Sequence, residues 1–419
     1  MKFFFRNNIF LKNVSLLVGG TVIAQLIAIG SSPILSRLYS PEDFGFFATF
    51  MAVLGVASTF SLLKYELAIV IEKNKEYAKQ IQALSLLILV GFTIVFTIAL
   101  KLIPTSVFEK YNLNVGNYIY LLVPLVFFTG IYAIQTNVLN REKQYKLLSL
   151  SNIVNKIGIV TFQILFGFIG LKLLGLVFGN LIGLFIIVLI IYLIDRKDFS
   201  SFVSYSFADI KKVAVKHYRF PKYTAPQTLL NTLSQQAPIY ILGYFYGLEV
   251  VGAYWMAMRI IQLPTLLIGN SVRQVYFQKA AEVSLNREET IKLFNTSTYT
   301  LIKLIIIPII LVFFFGKQLF VVILGSNWEL AGEFAKWMML WIGVGFVIPP
   351  TSMSLIIFNK QKLNFIYDAF LLSTRVLVLV LGGVYFKALD TIIVFSTVGL
   401  VFNSILILYV KINLINKYK

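Results

Sequence analysis

Long uncharged stretches dominate the hydrophobic pattern from one end of the chain to the other. Eight of them run for at least 20 residues without a charged side chain. A helix needs roughly 20 mostly apolar residues to cross the hydrocarbon core of a bilayer, so each stretch predicts a membrane-spanning helix. The eight stretches are Val14–Leu35, Phe44–Leu63, Ile81–Leu100, Val115–Asn140, Leu173–Ile194, Tyr223–Leu248, Trp337–Asn359 and Thr391–Val410.

Four further stretches are long enough to span but contain one or two charges. They are Leu147–Leu171, Val250–Gln278, Phe294–Gly316 and Leu363–Phe386. Together with the first eight they predict an all-α polytopic membrane protein with about twelve transmembrane helices.

Composition and charge agree with a membrane protein and set its orientation. Of the 419 residues, 58% are hydrophobic and 13% are charged, against about 25% charged in soluble domains. If the N-terminus is inside, the inside segments hold 26 Lys and Arg and the outside loops hold 7. The positive-inside rule then predicts that both termini are cytoplasmic. The net charge of +19 therefore indicates topology and attraction to membrane lipids, and we expect no nucleic-acid partner.

The chain reads as two halves of six helices each. The most basic inside segment, 195–222, follows the sixth predicted helix. We therefore predict an N-terminal six-helix bundle over 1–194, a cytoplasmic basic linker over 195–222 and a C-terminal six-helix bundle over 223–419. An even number of helices per half gives both copies the same orientation, as in transporters built from parallel repeats.

Short sequence matches between the halves support a duplication. PEDFG at 41–45 corresponds to LEVVG at 248–252, at an offset of 207. NREKQY at 140–145 corresponds to NKQKLN at 359–364, at an offset of 219, and GLVFGN at 175–180 corresponds to GLVFNS at 399–404. The offset of 219 also pairs Lys156 with Arg375, which places a basic residue at the same depth in both halves.

Several predicted helices carry polar faces that lipid would not tolerate. A charge at bilayer depth is costly and is expected to face a cavity or a partner. With 100° per residue, polar residues share a face on the first, fifth, seventh, eighth and eleventh helices, which predicts a hydrated, cationic central cavity. The candidate lining residues are Lys156, Arg259, Arg273, Arg375, Gln25, Asn231 and Gln235.

Purely structural roles remain open for each of these side chains. Amide side chains in membrane helices often bond only a neighbouring helix. Arg273 lies close enough to the inner interface to reach lipid phosphates, and Asp368 shares a face with Arg375 and pairs with it on the simplest interpretation. The single histidine, His217, lies in the basic linker and is expected to be solvated.

The sequence lacks the motifs of several alternative classes. It has no G-x-x-x-x-G-K-[ST] phosphate-binding loop. With no Cys and one His it has no Cys- or His-rich metal site, and no cofactor is expected. The predicted outside loops are too short to hold the catalytic groups of a membrane transferase. We therefore predict a transporter and not an enzyme.

Five segments resemble one known family. They are SRLYSPEDFG (36–45), KYELAIVI (64–71), LNREKQYK (139–146), YRFPKYTAP (218–226) and VGAYWMAMRIIQLP (251–264). Together they resemble the Wzx-type polysaccharide flippases, a branch of the MATE-like MOP exporter superfamily. The resemblance implies two six-helix bundles, alternating access, and transfer of undecaprenyl-diphosphate-linked oligosaccharide to the outer leaflet of a bacterial cytoplasmic (inner) membrane.

The resemblance also implies roles for particular residues. Membrane-embedded arginines of related flippases receive the diphosphate, and Arg259 occupies the best matching position here, with Lys156 and Arg375 added by the repeat. Asp368 and Glu66 are candidates for coupling to H⁺ or Na⁺. Arg37 either caps the first helix, pairs with Glu42 or belongs to an outer gate. A polysaccharide polymerase and glycosyltransferases of the same pathway are the expected partners.

Two other transport functions remain open on this fold. A MATE-type drug or cation antiporter is expected to carry acidic groups in its cavity, whereas this chain is mainly basic at depth. A teichoic-acid or lipid II-type flippase would carry a similar anionic lipid, although lipid II flippases usually have extra helices. The identity of the glycan cannot be inferred from the sequence.

Overall fold

The computed structural model describes residues 9–104, 116–194, 205–283, 286–358 and 360–415, and these residues form helices and turns without a β-strand. The α-helices in chain order are α1 (Ile9–Gly30), α2 (Ser32–Leu38), α3 (Pro41–Ser61), α4 (Glu66–Ile71), α5 (Lys75–Leu102), α6 (Leu122–Arg141), α7 (Tyr145–Phe168), α8 (Lys172–Ile194), α9 (Phe207–Lys216), α10 (Ala225–Tyr246), α11 (Leu248–Ile261), α12 (Asn270–Val283), α13 (Arg287–Leu324), α14 (Glu329–Val347), α15 (Pro349–Ile357), α16 (Gln361–Tyr385) and α17 (Ala388–Val410).

Ten helical segments of the described residues are long and apolar enough to cross a membrane. They coincide with ten of the twelve predicted helices, so the protein is a multi-pass, all-α membrane protein. The remaining two predictions, 223–248 and 250–278, fold as α10, α11 and α12, which are too polar or too short for this criterion. The total of twelve spans and the cytoplasmic termini remain predictions, and residues 1–8 and 416–419 lie outside the described part of the chain.

The eighth predicted helix is not continuous, contrary to the sequence prediction. α11 ends at Ile261, and a π-helical turn over Thr265–Gly269 precedes α12. Pro264 lies in this break, where it cannot donate a backbone hydrogen bond to the preceding turn. Because a π turn shifts the helical register, the ideal spacing of 100° per residue does not hold across it, and the common face predicted for Arg259 and Arg273 remains a prediction.

The chain divides into two compact units, residues 1–237 and 238–419. The division falls inside α10, and the predicted boundaries at 194 and 222 remain predictions. The first ten residues of the predicted linker, 195–204, lie outside the described residues.

In the first unit, glycines allow α7 and α8 to approach closely. Gly175, Gly179 and Gly183 recur every four residues along one side of α8. A Cβ atom on Gly183 would lie 2.5 Å from the backbone nitrogen of Ile159, and one on Gly179 would lie 2.7 Å from that of Gln163. Small residues at this spacing are typical of tightly packed membrane helices.

The two units contain the same hydrogen bond at equivalent positions. In the first unit the Tyr39 hydroxyl donates to the backbone carbonyl of Gln163 at 2.6 Å. In the second the Tyr246 hydroxyl donates to the carbonyl of Gly382 at 2.8 Å. The tyrosines are 207 residues apart and the carbonyls 219 apart, the two offsets of the sequence matches. This agreement supports the predicted duplication, although Asn359 of the NKQKLN match lies outside the described residues.

The turn before α3 is capped as its sequence predicts. Ser40 Oγ accepts the backbone N–H of Asp43 at 3.2 Å, and Asp43 Oδ2 accepts the backbone N–H of Ser40 at 2.9 Å, with Pro41 in the first turn of the helix. This reciprocal capping satisfies two of the free N–H groups at the start of the helix. Arg37 lies inside α2 and donates from Nη1 to the carbonyl of Pro33, one turn earlier in the same helix, at 2.6 Å; its predicted roles in capping, in pairing with Glu42 or in an outer gate are untested.

Candidate functional site

Arg375 is the most unusual cation of the second unit. Its guanidinium carbon lies 4.2 Å from the ring centroid of Trp341 and 5.0 Å from that of Phe395. Gly399 provides the space, because a Cβ atom there would collide with Nη2 of Arg375. Nε and Nη2 are buried and find no hydrogen-bond acceptor among the described residues. Cation–π contacts stabilise the charge, while these two groups keep unused hydrogen-bonding capacity.

Asp368 does not neutralise Arg375, contrary to the simplest interpretation of their shared face. Asp368 is exposed and accepts a hydrogen bond from Asn364 Nδ2 at 3.0 Å. No ion pair joins Asp368 to Arg375. Seven residues separate them, about 10 Å along a helix, and the aromatic partners draw the guanidinium towards α14 and α17. Asp368 is exposed and so could exchange H⁺ or Na⁺ with solvent. Its predicted role in ion coupling is untested.

Lys156 occupies the corresponding position of the first unit and is half-buried on α7. Two other polar residues of α7, Asn152 and Gln163, make hydrogen bonds to neighbouring helices. Asn152 Oδ1 accepts the Tyr132 hydroxyl at 2.9 Å, and Gln163 Nε2 donates to the carbonyl of Leu176 at 3.1 Å. Most of this polar face therefore joins α7 to α6 and α8, and Lys156 is its remaining charged member.

Arg259 and Arg273 lie in different surroundings. Arg259, near the end of α11, is half-buried, with its guanidinium carbon 5.2 Å from the ring centroid of Trp255. Arg273 is exposed on α12. Arg259 is therefore the better enclosed of the two residues that the sequence placed on one helix face.

The amide candidates lie on α1 and α10. Gln25 is half-buried, and Asn231 and Gln235 are exposed. Gln235 Nε2 donates to Asn231 Oδ1 at 3.2 Å, one helical turn apart. These two amides thus form a polar, accessible patch on α10.

Glu66 is buried at the first position of α4, directly after the turn that follows α3. It begins α4 and is 4% exposed, with Oε1 3.6 Å from Lys64 Nζ and with Oε2 lacking a hydrogen-bond partner. Leu63 and Lys64 both have positive φ angles, 48° and 63°, which side chains with a Cβ rarely adopt. A buried carboxylate with one free oxygen is a suitable group for H⁺ coupling, and this remains a hypothesis.

Sequence analysis missed a cluster at one end of the first unit. Glu72 Oε2 accepts from Lys216 Nζ at 2.6 Å and lies 2.9 Å from His217 Nε2. Arg141 donates to the carbonyls of Ile69 (2.8 Å) and Glu72. The prediction that His217 is solvated was wrong, since its side chain is only 10% exposed. A contact between residues 145 positions apart leaves no signal in a single sequence.

Trp341 and Gly399 were also missed as partners of Arg375. Trp and Gly are both common in apolar membrane helices, so neither residue stands out in the sequence. Only the packing of the helices brings them together around the guanidinium. The described residues contain no group of three or more His, Cys, Asp or Glu side chains that could hold a metal ion.

Comparisons with known proteins agree with this architecture. The model of a family described as polysaccharide biosynthesis proteins matches residues 34–332. The solved lipid II flippase MurJ, in an inward closed conformation, superposes with a TM-score of 0.73 at 15% identity, covering 94% of this chain and 87% of MurJ. No curated protein matches the sequence at a significant level.

Two further solved structures share the fold. An inward-facing multidrug resistance MATE transporter of the MOP superfamily gives a TM-score of 0.61 at 16% identity, covering 93% of this chain and 96% of the transporter. A MOP superfamily transporter from Pyrococcus furiosus, described as having a binding pocket of reverse polarity, gives 0.58 at 15% identity and covers 96% of each chain. The proteins compared are flippases and transporters, and the shared fold is that of the MOP superfamily.

Proposed function

Because the chain belongs to the polysaccharide biosynthesis protein family and has the MOP-superfamily fold, we propose that it is a flippase of lipid-linked oligosaccharides. It transfers undecaprenyl-diphosphate-linked repeat units from the cytoplasmic to the outer leaflet of a bacterial inner membrane by alternating access. The process makes and breaks no covalent bond, so the protein is not an enzyme. Glycosyltransferases supply the substrate and a polymerase consumes it.

The observation that carries this proposal is the unneutralised guanidinium of Arg375. Its Nε and Nη2 lack acceptors within the described residues, and the nearest acid on its own helix, Asp368, bonds Asn364 instead. A buried guanidinium with aromatic contacts but no ion-pair partner among the described residues is costly in a membrane protein and indicates a functional site. Planar guanidinium N–H groups suit the oxygens of a phosphate.

Two further basic residues suit the same role, each within its own unit. Arg259 on α11 and Lys156 on α7 are half-buried, and the exposed amides of α10 offer hydrogen bonds to sugar hydroxyls. A cationic, hydrogen-bonding lining matches a substrate with an anionic diphosphate and a polar glycan. It does not match a cationic drug, which would favour carboxylates.

The membrane potential supplies a driving force without ATP. Moving one negative charge outwards across an inside-negative membrane is favourable by about 2.3 kcal/mol per 100 mV. A diphosphate therefore moves outwards down the electrical gradient. If H⁺ or Na⁺ also couples to transport, Glu66 and Asp368 are the carboxylates that would bind it.

Substitution of Arg375 tests the proposal in cells that lack their own repeat-unit flippase. Arg375→Gln is expected to reduce surface polysaccharide by more than about ten-fold, because a charge-assisted hydrogen bond to an anion is lost. Arg375→Lys should retain partial function, since the charge remains but the planar fork does not. Surface polysaccharide is measured together with the amount of protein in the membrane.

Lys279→Gln is the matched control, since Lys279 is a basic residue exposed on α12, and it should leave polysaccharide unchanged. Normal polysaccharide with Arg375→Gln at normal protein level would exclude Arg375 from substrate binding. Drug resistance conferred by the wild-type chain, without any restored polysaccharide, would favour the MATE-type antiporter instead.

A further inference from the structure

The short helix α9 is fixed to one end of the first unit by apolar and polar contacts. Val213 is fully buried in a cluster that includes Ile81 and Val138, near the start of α5 and the end of α6. The Tyr65 hydroxyl donates to the carbonyl of Ala214 at 3.1 Å. α9 therefore lies beside the ends of membrane-spanning helices, where those helices meet the headgroup region.

One stripe of α9 exposes large apolar side chains that the unit does not cover. Phe207 is 81% exposed and Val215 is 64% exposed. They lie eight residues apart with exposed Lys211 halfway between them, so all three fall within about 80° on the helix. This stripe is distinct from the buried face around Val213. Its apolar residues are exposed at the level where a bilayer begins.

Basic and aromatic residues occur on α9 and directly after it. Lys222 Nζ lies 6.0 Å from the ring centroid of Tyr218 and 5.4 Å from that of Tyr223. Aromatic rings with Lys and Arg are typical of the interface between a membrane and water. The exposed cations of α9 and the residues after it are Lys211, Lys212, Lys216, Arg219 and Lys222.

The acid of α9 does not offset these cations at the stripe. Asp209 caps the helix, accepting from the backbone N–H of Ser206 at 3.2 Å and from its hydroxyl at 2.6 Å. The second nearby acid, Glu72, is buried against Lys216 and His217. The accessible surface of this helix is thus basic with an apolar stripe, the combination that binds an anionic membrane surface.

We propose that the stripe of α9, with Tyr218, Lys222 and Tyr223 after it, forms a docking surface for the anionic phospholipids of the leaflet beside them. Phe207 and Val215 insert among the upper acyl chains, and Lys211 lies at the phosphates. This inference does not depend on which substrate the protein carries, because it concerns only the contact of α9 with lipid.

The cysteine-free sequence allows a direct test on the full-length protein in bilayers. Single cysteines replace Phe207, Val215 or Lys212, and each carries an environment-sensitive fluorophore. Lys212 is the matched control, because it is exposed on the same helix and lies about 140° from Phe207. Quenching by nitroxide-labelled phospholipids is measured in phosphatidylcholine alone and with phosphatidylglycerol added at about a 7:3 ratio.

We expect several-fold stronger quenching at positions 207 and 215 than at 212, and stronger quenching with phosphatidylglycerol. Lys211→Gln should weaken the effect of the anionic lipid by about five-fold, the usual contribution of one basic residue near such a surface. Equal quenching at all three positions, or none at 207 and 215, would show that water or protein covers the stripe and would overturn the proposal. An unchanged lipid dependence in Lys211→Gln would overturn its anionic specificity.

Discussion

Glu72 is a buried carboxylate whose surroundings keep it ionised. Burial alone would raise its pKa, but hydrogen bonds from Lys216, the backbone N–H of Asn74 and His217 outweigh that effect and lower the pKa to about 2. The ordinary value is 4.5. The folded protein therefore binds a proton at this site less readily than the unfolded chain does.

This shift predicts a pH-dependent contribution to stability. Because the pKa is lower in the folded state, the contribution is complete above about pH 4.5 and is lost as the pH falls towards 2. Glu72→Gln should therefore lower the melting temperature clearly at pH 7 and much less at pH 3. Thermal unfolding of purified protein measures the difference.

Glu76→Gln provides the control for this experiment, since Glu76 is an exposed carboxylate in the first turn of α5. It should change stability by less than about 1 kcal/mol. A Glu72→Gln effect that is the same at pH 3 and pH 7 would contradict the ionised, paired carboxylate.

At Gly399, a single methyl group is expected to disturb the arginine site. The Cβ of Gly399→Ala would collide with the guanidinium of Arg375, so the arginine must leave its place against Trp341 or the helices must separate. Overpacking of this kind costs about 1–3 kcal/mol. We expect a lower melting temperature together with reduced polysaccharide export.

Gly345→Ala is the matched control in the same unit. Its Cβ would lie 3.5 Å from Asn403 Nδ2, an ordinary contact, and both stability and export should stay close to wild type. Wild-type stability and export in Gly399→Ala would show that Arg375 does not need this space.

At the scale of elements, the glycine stripe of α8 determines how closely it packs on α7. Gly183→Ala would place a Cβ 2.5 Å from the backbone nitrogen of Ile159, and a backbone atom cannot move aside as a side-chain end can. We expect destabilisation by about 1–3 kcal/mol, measured by thermal unfolding in detergent.

Gly91→Ala on α5 is the comparison, because nothing lies within 4 Å of a Cβ there. An alanine at an open position inside a helix is expected to be neutral or to stabilise by about 0.5–1 kcal/mol. If the two variants had equal stability, the close approach of α7 and α8 would not depend on glycine.

The long apolar helices could be predicted from the sequence because membrane helices have one dominant physical requirement, a sufficient length of apolar residues. The break between α11 and α12 could not be predicted in the same way. Pro264 gives a local signal, but proline also occurs inside intact helices of this chain, as Pro238 does in α10 and Pro308 in α13. Whether a proline ends a helix depends on the packing around it.

The candidate site was predictable only in part. The offset of 219 placed Lys156 and Arg375 at equal depth, and both positions do lie on helices, α7 and α16. The partners were not predictable: Asp368 points to Asn364, while Trp341 and Gly399 enclose Arg375. Side-chain partners on other helices depend on packing, which periodicity along one helix does not encode.

At the scale of the whole molecule, the number of spans depends on α10 and the segment after it. Twelve spans place the junction between α10 and α11 outside, whereas ten spans leave it inside. Glu249, exposed at the start of α11, reports this difference. Glu249→Cys should react with a membrane-impermeant maleimide added to intact cells, because the sequence contains no other cysteine.

Lys222→Cys, also exposed, should react only after the cells are permeabilised, since the linker is predicted to be cytoplasmic. Labelling of position 249 only after permeabilisation would rule out the twelve-span topology. Labelling of position 222 in intact cells would reverse the predicted orientation.

The tyrosine hydrogen bond that occurs in both units has a consequence for the history of the chain. Tyr39 and Tyr246 make the same bond in the two units, while the charges at positions related by the same offset differ. Glu66 and Arg273 are related by the offset of 207, yet one is acidic and buried and the other basic and exposed. The predicted duplication therefore implies two halves that kept a tyrosine contact of the scaffold and acquired different electrostatics.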